Sequence, residues 1–267
     1  MKIALYLRHI DHASQPVFDE LVAALHAKGI AVRSVTDGDS VDGCDFLFSI
    51  GGDGTLLSSV QFVRSSNPAA FPPILGINFG HLGFLTTVGK ENLDTMVDDL
   101  LAGHYSLEER TLLQINNDAY VLNEVFLHRS EESSLLRTQL YVDGDYVATY
   151  GGDGVIVATP TGSTAYSLSC GGPILTPNSR GLVITPISAH TLTLRPIIVP
   201  DTSRLKLRIE DGGDFTLGMD SRRRQMHGSV ELDIQRAPFT ISLIRMNTQN
   251  FFSAIRDKFM WGTEVRP

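Results

Sequence analysis

Apolar residues follow two different spacings along the first hundred positions, and each spacing predicts one kind of element. Short, mainly apolar segments that are typical of strands lie at 3–7, 30–35, 45–50 and 74–78. Between the first two runs, Val17, Leu21 and Leu25 recur at a helical interval, and another helix is predicted at about 92–101. Alternating strands and helices indicate a parallel, doubly wound sheet, and we assign residues 1–102 to an α/β domain.

The pattern changes near residue 103, where long helical periodicity ends. Short apolar segments follow, which we interpret as strands, at 120–122, 125–127, 139–142, 146–149, 155–158, 182–187, 205–209, 230–234 and 239–244. Asp143-Gly144 separates two of them and is a strong signal for a tight hairpin turn. We therefore expect a mainly β domain at 103–250, followed by a C-terminal tail at 251–267 that packs back onto the body.

Composition and charge narrow the class of protein. With 42% hydrophobic and 19% charged residues, the 267-residue chain has the composition of a folded, soluble protein. Its net charge of -8 argues against non-specific binding to nucleic acid. Cys44 and Cys170 form neither a disulfide framework nor a metal-ligand spacing, which fits a reducing cytoplasm. The sequence shows no signal peptide and no apolar run of ~18 residues, so no membrane partner is expected.

The stretch Gly51-Gly52-Asp53-Gly54-Thr55 follows a predicted buried strand and precedes a predicted helix. Glycines let the backbone approach a ligand closely, and exposed N–H groups at a helix start favour an anion. A carboxylate in such a seat repels a bare phosphate, so Asp53 should face a metal or a hydroxyl that it deprotonates. The alternative is a simple strand-to-helix turn with an acidic residue near the helix start.

Two further segments of the second half combine polar residues with apolar flanks. Asn123-Glu124 lies between two strand-like runs and is either an exposed hairpin edge or a hydrogen-bonding pair for a sugar or an amide. Gly152-Asp153-Gly154 leads into a stretch rich in hydroxyls and glycines at 159–173. That stretch is either a floppy loop or a surface that offers N–H and hydroxyl groups to a polar ligand, with Tyr166 able to stack on a base.

Four segments resemble the NAD kinase family and follow that family's order. They are 51–55, 78–84 (Asn-Phe-Gly-His-Leu-Gly-Phe), 123–124 and 152–173, and the resemblance covers roughly residues 45–200. It implies transfer of a phosphoryl group from ATP, or another donor, to the 2′-hydroxyl of the adenosine ribose of NAD, giving NADP. It also implies Mg²⁺ or another divalent metal as cofactor, and a homodimer or homotetramer. NAD and ATP are then the small-molecule partners, with 1–102 as the nucleotide-binding domain and 103–250 as the NAD-binding domain.

The same resemblance implies roles for individual residues. Asp53 matches the catalytic aspartate, the proposed base, and the phosphate-donor loop is Gly51, Gly52, Gly54 and Thr55. NAD-binding residues are Asp53, Gly54, Asn123, Glu124, Asp153, Thr164, Ala165, Tyr166, Ser167, Leu168 and Ser169. Asp153 matches the nicotinamide end, whereas 164–169 match the adenine and ribose pocket. His81 lies in a family segment, and we interpret it as structural. The metal ligands are not assigned.

Some features leave alternatives open. A lipid kinase of the same superfamily would share 51–55, and a non-catalytic dinucleotide sensor would keep the binding segments without the base. Arg222-Arg223-Arg224 is interpreted as a solvated basic turn, with a contact to donor phosphates as the alternative. Many NAD kinases carry a basic residue two places before the Asp153 position, where this chain has Gly151. That departure predicts use of NADH as well as NAD, unless Arg137 or Arg222 supplies the missing cation.

Overall fold

The computed structural model describes residues 1–8, 12, 14–80, 83–131, 135–246 and 250–262. The chain divides into two compact units, one formed by Met1–Glu109 with Ile241–Pro267 and the other by Arg110–Thr240. These limits differ from the expected boundaries at 102/103 and 250/251. The difference at the second boundary arises because Leu243 pairs with Ile74 in a parallel ladder, which joins residues beyond 240 to the first unit's sheet.

The helices and strands have the following bounds. The first elements are β1 (Lys2–Leu7), α1 (Gln15–Ala27), β2 (Ala31–Val35), β3 (Phe46–Ile50), α2 (Asp53–Ser59), β4 (Ile74–Asn78), β5 (Val88–Gly89) and α3 (Leu93–Ala102). Then follow β6 (Tyr105–Ile115), β7 (Ala119–Val121), β8 (Glu124–Arg129), β9 (Leu136–Val142), β10 (Asp145–Gly152), β11 (Gly154–Ala158) and α4 (Tyr166–Ser169). The last are β12 (Gly181–Ile187), β13 (Ile197–Pro200), β14 (Leu205–Ile209), β15 (Asp214–Met219), β16 (Arg222–His227), β17 (Val230–Met246) and α5 (Phe251–Phe259).

The first unit contains a parallel sheet in the order β2-β1-β3-β4, with the end of β17 and the short β5 also beside β4. Helices α1 and α3 cover one face, where Leu21 and Leu100 pack with Leu5 and Phe48 of the strands. The predicted parallel α/β architecture is confirmed. Because the chain moves from β1 to β2 on one side and then to β3 on the other, the carboxyl ends of β1 and β3 flank the sheet's switch point.

The second unit is a mainly β structure, as predicted. One antiparallel sheet has the order β13-β12-β11-β8-β15-β16, and β10, β9, β14 and the start of β17 follow one another in a second sheet. Val125 and Leu127 of β8 belong to the core of this unit, together with Leu140 and Leu207. Side chains alternate along a strand, so Glu124, Phe126 and His128 lie on the opposite face of the first of these sheets.

Local predictions in this unit have mixed outcomes. The hairpin at Asp143-Gly144 is confirmed, since both residues have positive φ angles (54° and 94°) between the paired strands β9 and β10. The prediction of a basic turn at 222–224 is wrong, because these arginines begin β16 and the turn lies at Asp220-Ser221. The segments 230–234 and 239–244 were expected as separate strands and belong to the single strand β17.

The C-terminal helix α5 begins with a capping box in which Asn250 and Ser253 exchange hydrogen bonds. Ala254 and Ile255 are buried, and the ring of Phe259 lies 5.3 Å from that of Phe84 in the same unit. No helix in the described part of the chain has the length and apolar character to cross a membrane.

Candidate active site

The glycine turn joins the carboxyl end of β3 to the start of α2, as the sequence predicts. Gly51 has a φ of 139°, and its N–H donates to the carbonyl of Ile77 at 2.8 Å. A Cβ atom at this position would lie 2.5 Å from Oγ1 of Thr55. Both the backbone angle and the close approach therefore require glycine at position 51.

Asp53, the predicted catalytic residue, is held by the loop that follows β4. Its carboxylate accepts hydrogen bonds from the N–H groups of Phe84 (2.7 Å), Leu85 (3.1 Å) and Thr86 (3.1 Å). The hydroxyl of Thr86 donates a fourth at 3.1 Å. Within the described residues, the partners of the Asp53 carboxylate are thus three peptide groups and Thr86, and the expectation that it faces a metal or a substrate hydroxyl stays a prediction.

Gly83 makes room for this carboxylate. A Cβ atom at Gly83 would lie 1.6 Å from Oδ1 of Asp53, and the Gly83 N–H donates to Oγ1 of Thr86 at 2.7 Å. Gly83 and Phe84, the last two residues of the segment 78–84, therefore belong to the loop that binds Asp53. His81 falls outside the described residues, and our structural interpretation of it stays a prediction.

Asn123 and Glu124 lie where β7 passes into β8 in the second unit. Their side chains are buried, with the two residues 8% and 6% exposed, so the alternative of an exposed hairpin edge is wrong. Oδ1 of Asn123 and Oε2 of Glu124 have no hydrogen-bond partner among the residues that the structure describes. Buried oxygens without donors are uncommon in folded proteins, and a bound polar ligand is one explanation for them.

Asp220 holds the backbone of this segment, although the sequence analysis did not single it out. Its carboxylate accepts the N–H groups of Leu122 (2.8 Å), Asn123 (2.8 Å) and Glu124 (3.2 Å). The Asp220 N–H donates to the carbonyl of Glu124 at 3.0 Å, and its φ of 52° lies in the left-handed region. An aspartate followed by serine in a turn between two strands was the sequence signal that could have identified it.

The opposite side of the segment meets the turn at 159–162. Thr159 donates its N–H to the carbonyl of Asn123 at 2.9 Å. A Cβ atom at Gly162 would lie 2.2 Å from that same carbonyl oxygen, so glycine is required for this contact. The backbone of Asn123 is therefore fixed from two sides, and its side-chain oxygen is buried without a hydrogen-bond partner among the described residues.

The two carboxyl groups in this region have raised pKa values. Burial raises the pKa of Glu124 to about 8, and the nearby Asp220 carboxylate adds to this effect, whereas the N–H of Tyr166 opposes it. Burial also raises the pKa of Asp220 to about 6, in spite of its three backbone donors. At neutral pH, Glu124 is thus mostly protonated and can donate as well as accept a hydrogen bond.

The hydroxyl-rich stretch is ordered, so the alternative of a floppy loop is wrong. It forms a 3₁₀ turn at Thr161–Thr164 followed by α4. Ser163 donates to the carbonyl of Pro160 at 2.7 Å, and the hydroxyls of Ser167 and Thr185 are 2.7 Å apart. Of the predicted NAD-binding residues, Ser167 is buried, Ser169 is exposed, and the half-buried ones are Thr164, Ala165, Tyr166 and Leu168.

A cavity of about 390 Å³ brings together predicted and unpredicted residues of the second unit. Its lining includes Glu124 and Tyr166, which the sequence analysis selected, and Phe126, Asp220 and Arg223, which it did not assign to a site. The rings of Phe126 and Tyr166 meet edge to face with centroids 5.2 Å apart. Two cavities of similar volume flank Arg204 on the unit's other sheet, but they contain none of the predicted site residues.

Asp153 forms an ion pair that the sequence analysis did not anticipate. Nε of Arg129 lies 2.6 Å from Oδ1 of Asp153, and this guanidinium holds the pKa of the carboxyl below its usual range. The cation beside Asp153 is therefore Arg129 rather than the expected Arg137 or Arg222. Arg137 pairs with Gly151 across β9 and β10, and Arg222 donates to the carbonyl of Tyr120 at 2.8 Å.

The described residues contain no group of three or more His, Cys, Asp or Glu side chains arranged to hold a metal ion. The carboxylate of Asp53 is already bound by four donors. This part of the chain therefore does not by itself provide a complete set of metal ligands.

The chain thus combines a parallel α/β unit, which carries the glycine turn, with a mainly β unit, which carries the buried polar groups. The ATP-NAD kinase N-terminal domain model matches residues 9–105, and the C-terminal domain model matches residues 122–246. The chain belongs to the NAD kinase family and is a kinase.

Curated relatives agree with this assignment. The NAD kinase of Cytophaga hutchinsonii is 40% identical over 230 residues, which cover 83% of this chain and 77% of the relative. The NAD kinase of Flavobacterium johnsoniae is 34% identical over 297 residues and 100% of both chains.

Solved structures share the fold. Yeast NADH kinase complexed with NADH superimposes with a TM-score of 0.88 at 22% identity, covering 99% of this chain and 89% of that one. An NAD kinase from Archaeoglobus fulgidus in complex with ATP gives a TM-score of 0.79 at 25% identity, covering 96% and 99%.

Proposed function

We propose that this chain transfers a phosphoryl group from ATP to the 2′-hydroxyl of the adenosine ribose of NAD and so produces NADP. The observation that carries the proposal is the pair of buried oxygens of Asn123 and Glu124, which lack protein donors and lie on a backbone fixed by Asp220. Such a pair suits the hydroxyl and amide groups of a dinucleotide. Glu124 also lines a cavity with Tyr166, whose ring is able to stack on a base.

Phosphoryl transfer depends mainly on positioning and charge stabilisation. In our assignment, Gly52 and Gly54 of the glycine turn offer backbone N–H groups to the donor phosphates, whereas the N–H of Gly51 is bonded to the carbonyl of Ile77, and Thr55 follows at the start of α2. Asp53 accepts the proton of the 2′-hydroxyl. Of the four donors that hold its carboxylate, the Thr86 hydroxyl is the one that can rotate away. A substrate hydroxyl would take its place while the three peptide donors stay.

The dinucleotide is assigned to the second unit. Asn123 and Glu124 hold the NAD, Asp153 lies at the nicotinamide end, and residues 164–169 line the adenine and ribose pocket. The half-buried Thr164 and Tyr166 support this assignment, because their side chains remain accessible to a ligand. The buried hydroxyl of Ser167 is bonded to that of Thr185, so Ser167 contributes through its backbone in this arrangement.

A divalent cation, Mg²⁺ by our proposal, would accompany the phosphates of ATP and offset their charge. Mg²⁺ commonly binds through substrate phosphates, waters and one or two carboxylates. Since the described residues offer no complete ligand set, we assign no protein ligand and route no step through the ion. We further propose a cytoplasmic location and a homodimer or homotetramer.

The test is to incubate the purified protein with Mg²⁺-ATP and NAD and to measure NADP with an NADP-specific dehydrogenase. We expect NADP to form only when both substrates are present. Binding of NAD without turnover would favour a dinucleotide sensor. Phosphorylation of a diacylglycerol or sphingosine without formation of NADP would favour a lipid kinase, although the carboxyls and Arg223 that line the cavity make it too polar for a lipid chain.

A further inference from the structure

We propose that Arg245 is a positioning residue that holds the catalytic carboxylate of Asp53 through the peptide group between Phe84 and Leu85. The proposal rests on the function proposed above for Asp53. Arg245 lies near the end of β17, far from Asp53 in sequence but in the same unit. It contacts neither substrate in our assignment, so any effect it has on turnover must pass through another group.

Arg245 is a buried arginine with two defined hydrogen bonds. The residue is 7% exposed. Its Nε donates to Oε2 of Glu108 at 2.9 Å, and its Nη2 donates to the carbonyl oxygen of Phe84 at 3.1 Å. The planar guanidinium offers donors in fixed directions, so Glu108 on one side orients the group that reaches Phe84 on the other.

The carbonyl that Arg245 binds belongs to the same peptide group as the N–H of Leu85. That N–H donates to Oδ1 of Asp53 at 3.1 Å. In a planar trans peptide, the C=O and N–H bonds point in opposite directions. Arg245 and Asp53 therefore bind opposite ends of a single amide, and each bond polarises that amide in the sense that strengthens the other.

Phe84 is fixed at two further points. Its own N–H donates to Oδ2 of Asp53 at 2.7 Å. Its ring packs against Phe259 of α5 at 5.3 Å, and Nζ of Lys258 lies 5.3 Å from the ring centroid. Residues from the end of the chain thus hold the loop whose peptides determine where the Asp53 carboxylate lies.

A lysine at position 245 distinguishes positioning from simple charge pairing. Its ammonium can remain near Glu108, but it lacks the rigid fork that bonds Glu108 and Phe84 together. If Arg245 served only the ion pair with Glu108, the lysine variant would keep most of the activity. If it positions the loop, Arg245→Lys and Arg245→Gln should both be impaired.

The experiment compares these two variants with Arg236→Lys and Arg236→Gln. Arg236 lies on the same strand, but its Nη1 pairs with Asp201 at 2.7 Å, outside the Asp53 network. Wild type must first form NADP, and if it does not, the proposed function fails rather than this inference. We expect kcat of both Arg245 variants to fall about 10- to 100-fold, as for other small misplacements of catalytic groups. The KM for NAD should change by less than about twofold, because the lost interaction acts in the transition state.

Active-site titration with NAD and a thermal melt separate positioning from loss of fold. A purely structural role would lower the melting temperature and the active fraction while kcat per active site stayed at the wild-type value, and that result would overturn the proposal. Activity of Arg245→Lys close to that of the Arg236 variants would overturn it too.

Should the Arg245 variants fail to fold, Glu108→Gln retains arginine and weakens only its orientation. We expect that variant to lower kcat about threefold to tenfold in the same direction, with the KM for NAD unchanged. An unchanged kcat in folded Glu108→Gln would count against the proposal.

Discussion

The two units differ in how many hydrogen bonds their candidate site carboxyl groups receive from the protein. In the first unit, the Asp53 carboxylate accepts four hydrogen bonds from Phe84, Leu85 and Thr86. In the second unit, neither Oε2 of Glu124 nor Oδ1 of the adjacent Asn123 has a donor among the described residues. The protein thus satisfies the first carboxylate, whereas by our proposal a ligand completes the second site.

This difference follows what each step of the proposed reaction requires. A group that takes part in chemistry gains from a fixed position before the substrate arrives. A group that recognises a substrate must keep its hydrogen-bonding capacity free until the substrate binds. Until then, burial of the unpartnered group lowers the stability of the folded protein. Mutations in the first unit should therefore change turnover, and mutations in the second unit should change affinity or pH dependence.

The largest effect is expected for Asp53→Asn. Loss of a general base lowers turnover by ~10²–10⁴-fold, and NAD binding should be retained because we assign its main contacts to the second unit. The structure adds an expectation, because the amide NH₂ of asparagine would face N–H donors of the loop. The melting temperature should therefore fall as well. Steady-state kinetics and calorimetric NAD titration check this, and near-normal turnover would exclude Asp53 as the base.

A smaller effect, on affinity alone, is expected for Asn123→Ala. We expect the KM and Kd for NAD to rise about tenfold, the order of one lost hydrogen bond to a buried partner. The melting temperature should hardly change, because Oδ1 of Asn123 has no protein donor to lose.

Asn116→Ala is the matched control for that prediction. Oδ1 of Asn116 accepts the N–H of Asp233 at 2.8 Å, so its removal should lower the melting temperature and leave NAD affinity intact. If Asn123→Ala instead behaved like Asn116→Ala, its role would be structural and the contrast between the two units would be lost.

What could be predicted from the sequence was local. A few consecutive residues are enough to recognise the glycine turn, the hairpin at Asp143-Gly144 and the polar pair Asn123-Glu124. The fold class follows from the spacing of apolar runs. Strand β16 was missed because three consecutive arginines hide the alternation of an edge strand.

The residues that support the site could not be predicted in the same way. Asp220 binds backbone groups 96 to 98 positions away, and Arg245 binds a carbonyl 161 positions away. Neither contact leaves a periodic signal in one sequence, because it depends on how distant segments meet after folding. Burial of Glu124 was likewise invisible, since a polar residue between strands normally faces water.

The third prediction uses the pH dependence of stability to test whether Glu124 is protonated in the folded protein. Its pKa is about 8 in the folded protein, above the ordinary value of 4.5, so the folded state keeps a proton that the unfolded state loses between these values. The contribution of Glu124 to the free energy of unfolding is therefore fully present below pH 4.5. It is lost as the pH rises towards 8, by a few kcal/mol in total. Glu124→Gln should flatten this decline, because its side chain stays neutral.

Denaturant melts of wild type and Glu124→Gln between pH 5 and pH 8.5 measure the difference. Asp220 titrates in both proteins, so its contribution largely cancels in the comparison. Parallel curves over that range would show that Glu124 is ionised in the folded protein or paired with a donor.

The smallest effect, on the preference between NAD and NADH, is expected for a substitution at Gly151. Two residues later lies a third carboxyl group, that of Asp153, which is paired with Arg129. Oxidised nicotinamide carries a positive charge and the reduced ring does not, so a cation beside the nicotinamide end discriminates between them. Gly151 supplies neither charge nor bulk, and we expect the wild type to phosphorylate NADH as well as NAD. Gly151→Arg should change the ratio of kcat/KM for the two substrates by about fivefold, near the lower end of the ~1–4 kcal/mol range of such Coulomb energies.

Space for that substitution is nearly sufficient. A Cβ atom at Gly151 would lie 3.1 Å from Cδ2 of Leu135, a partly exposed side chain that can move by a few tenths of an ångström. Gly151→Gln adds similar bulk without charge, so a ratio altered equally by both variants would assign the effect to size. A wild type inactive on NADH would contradict the prediction. An unchanged ratio in Gly151→Arg would show that position 151 does not act on the nicotinamide charge.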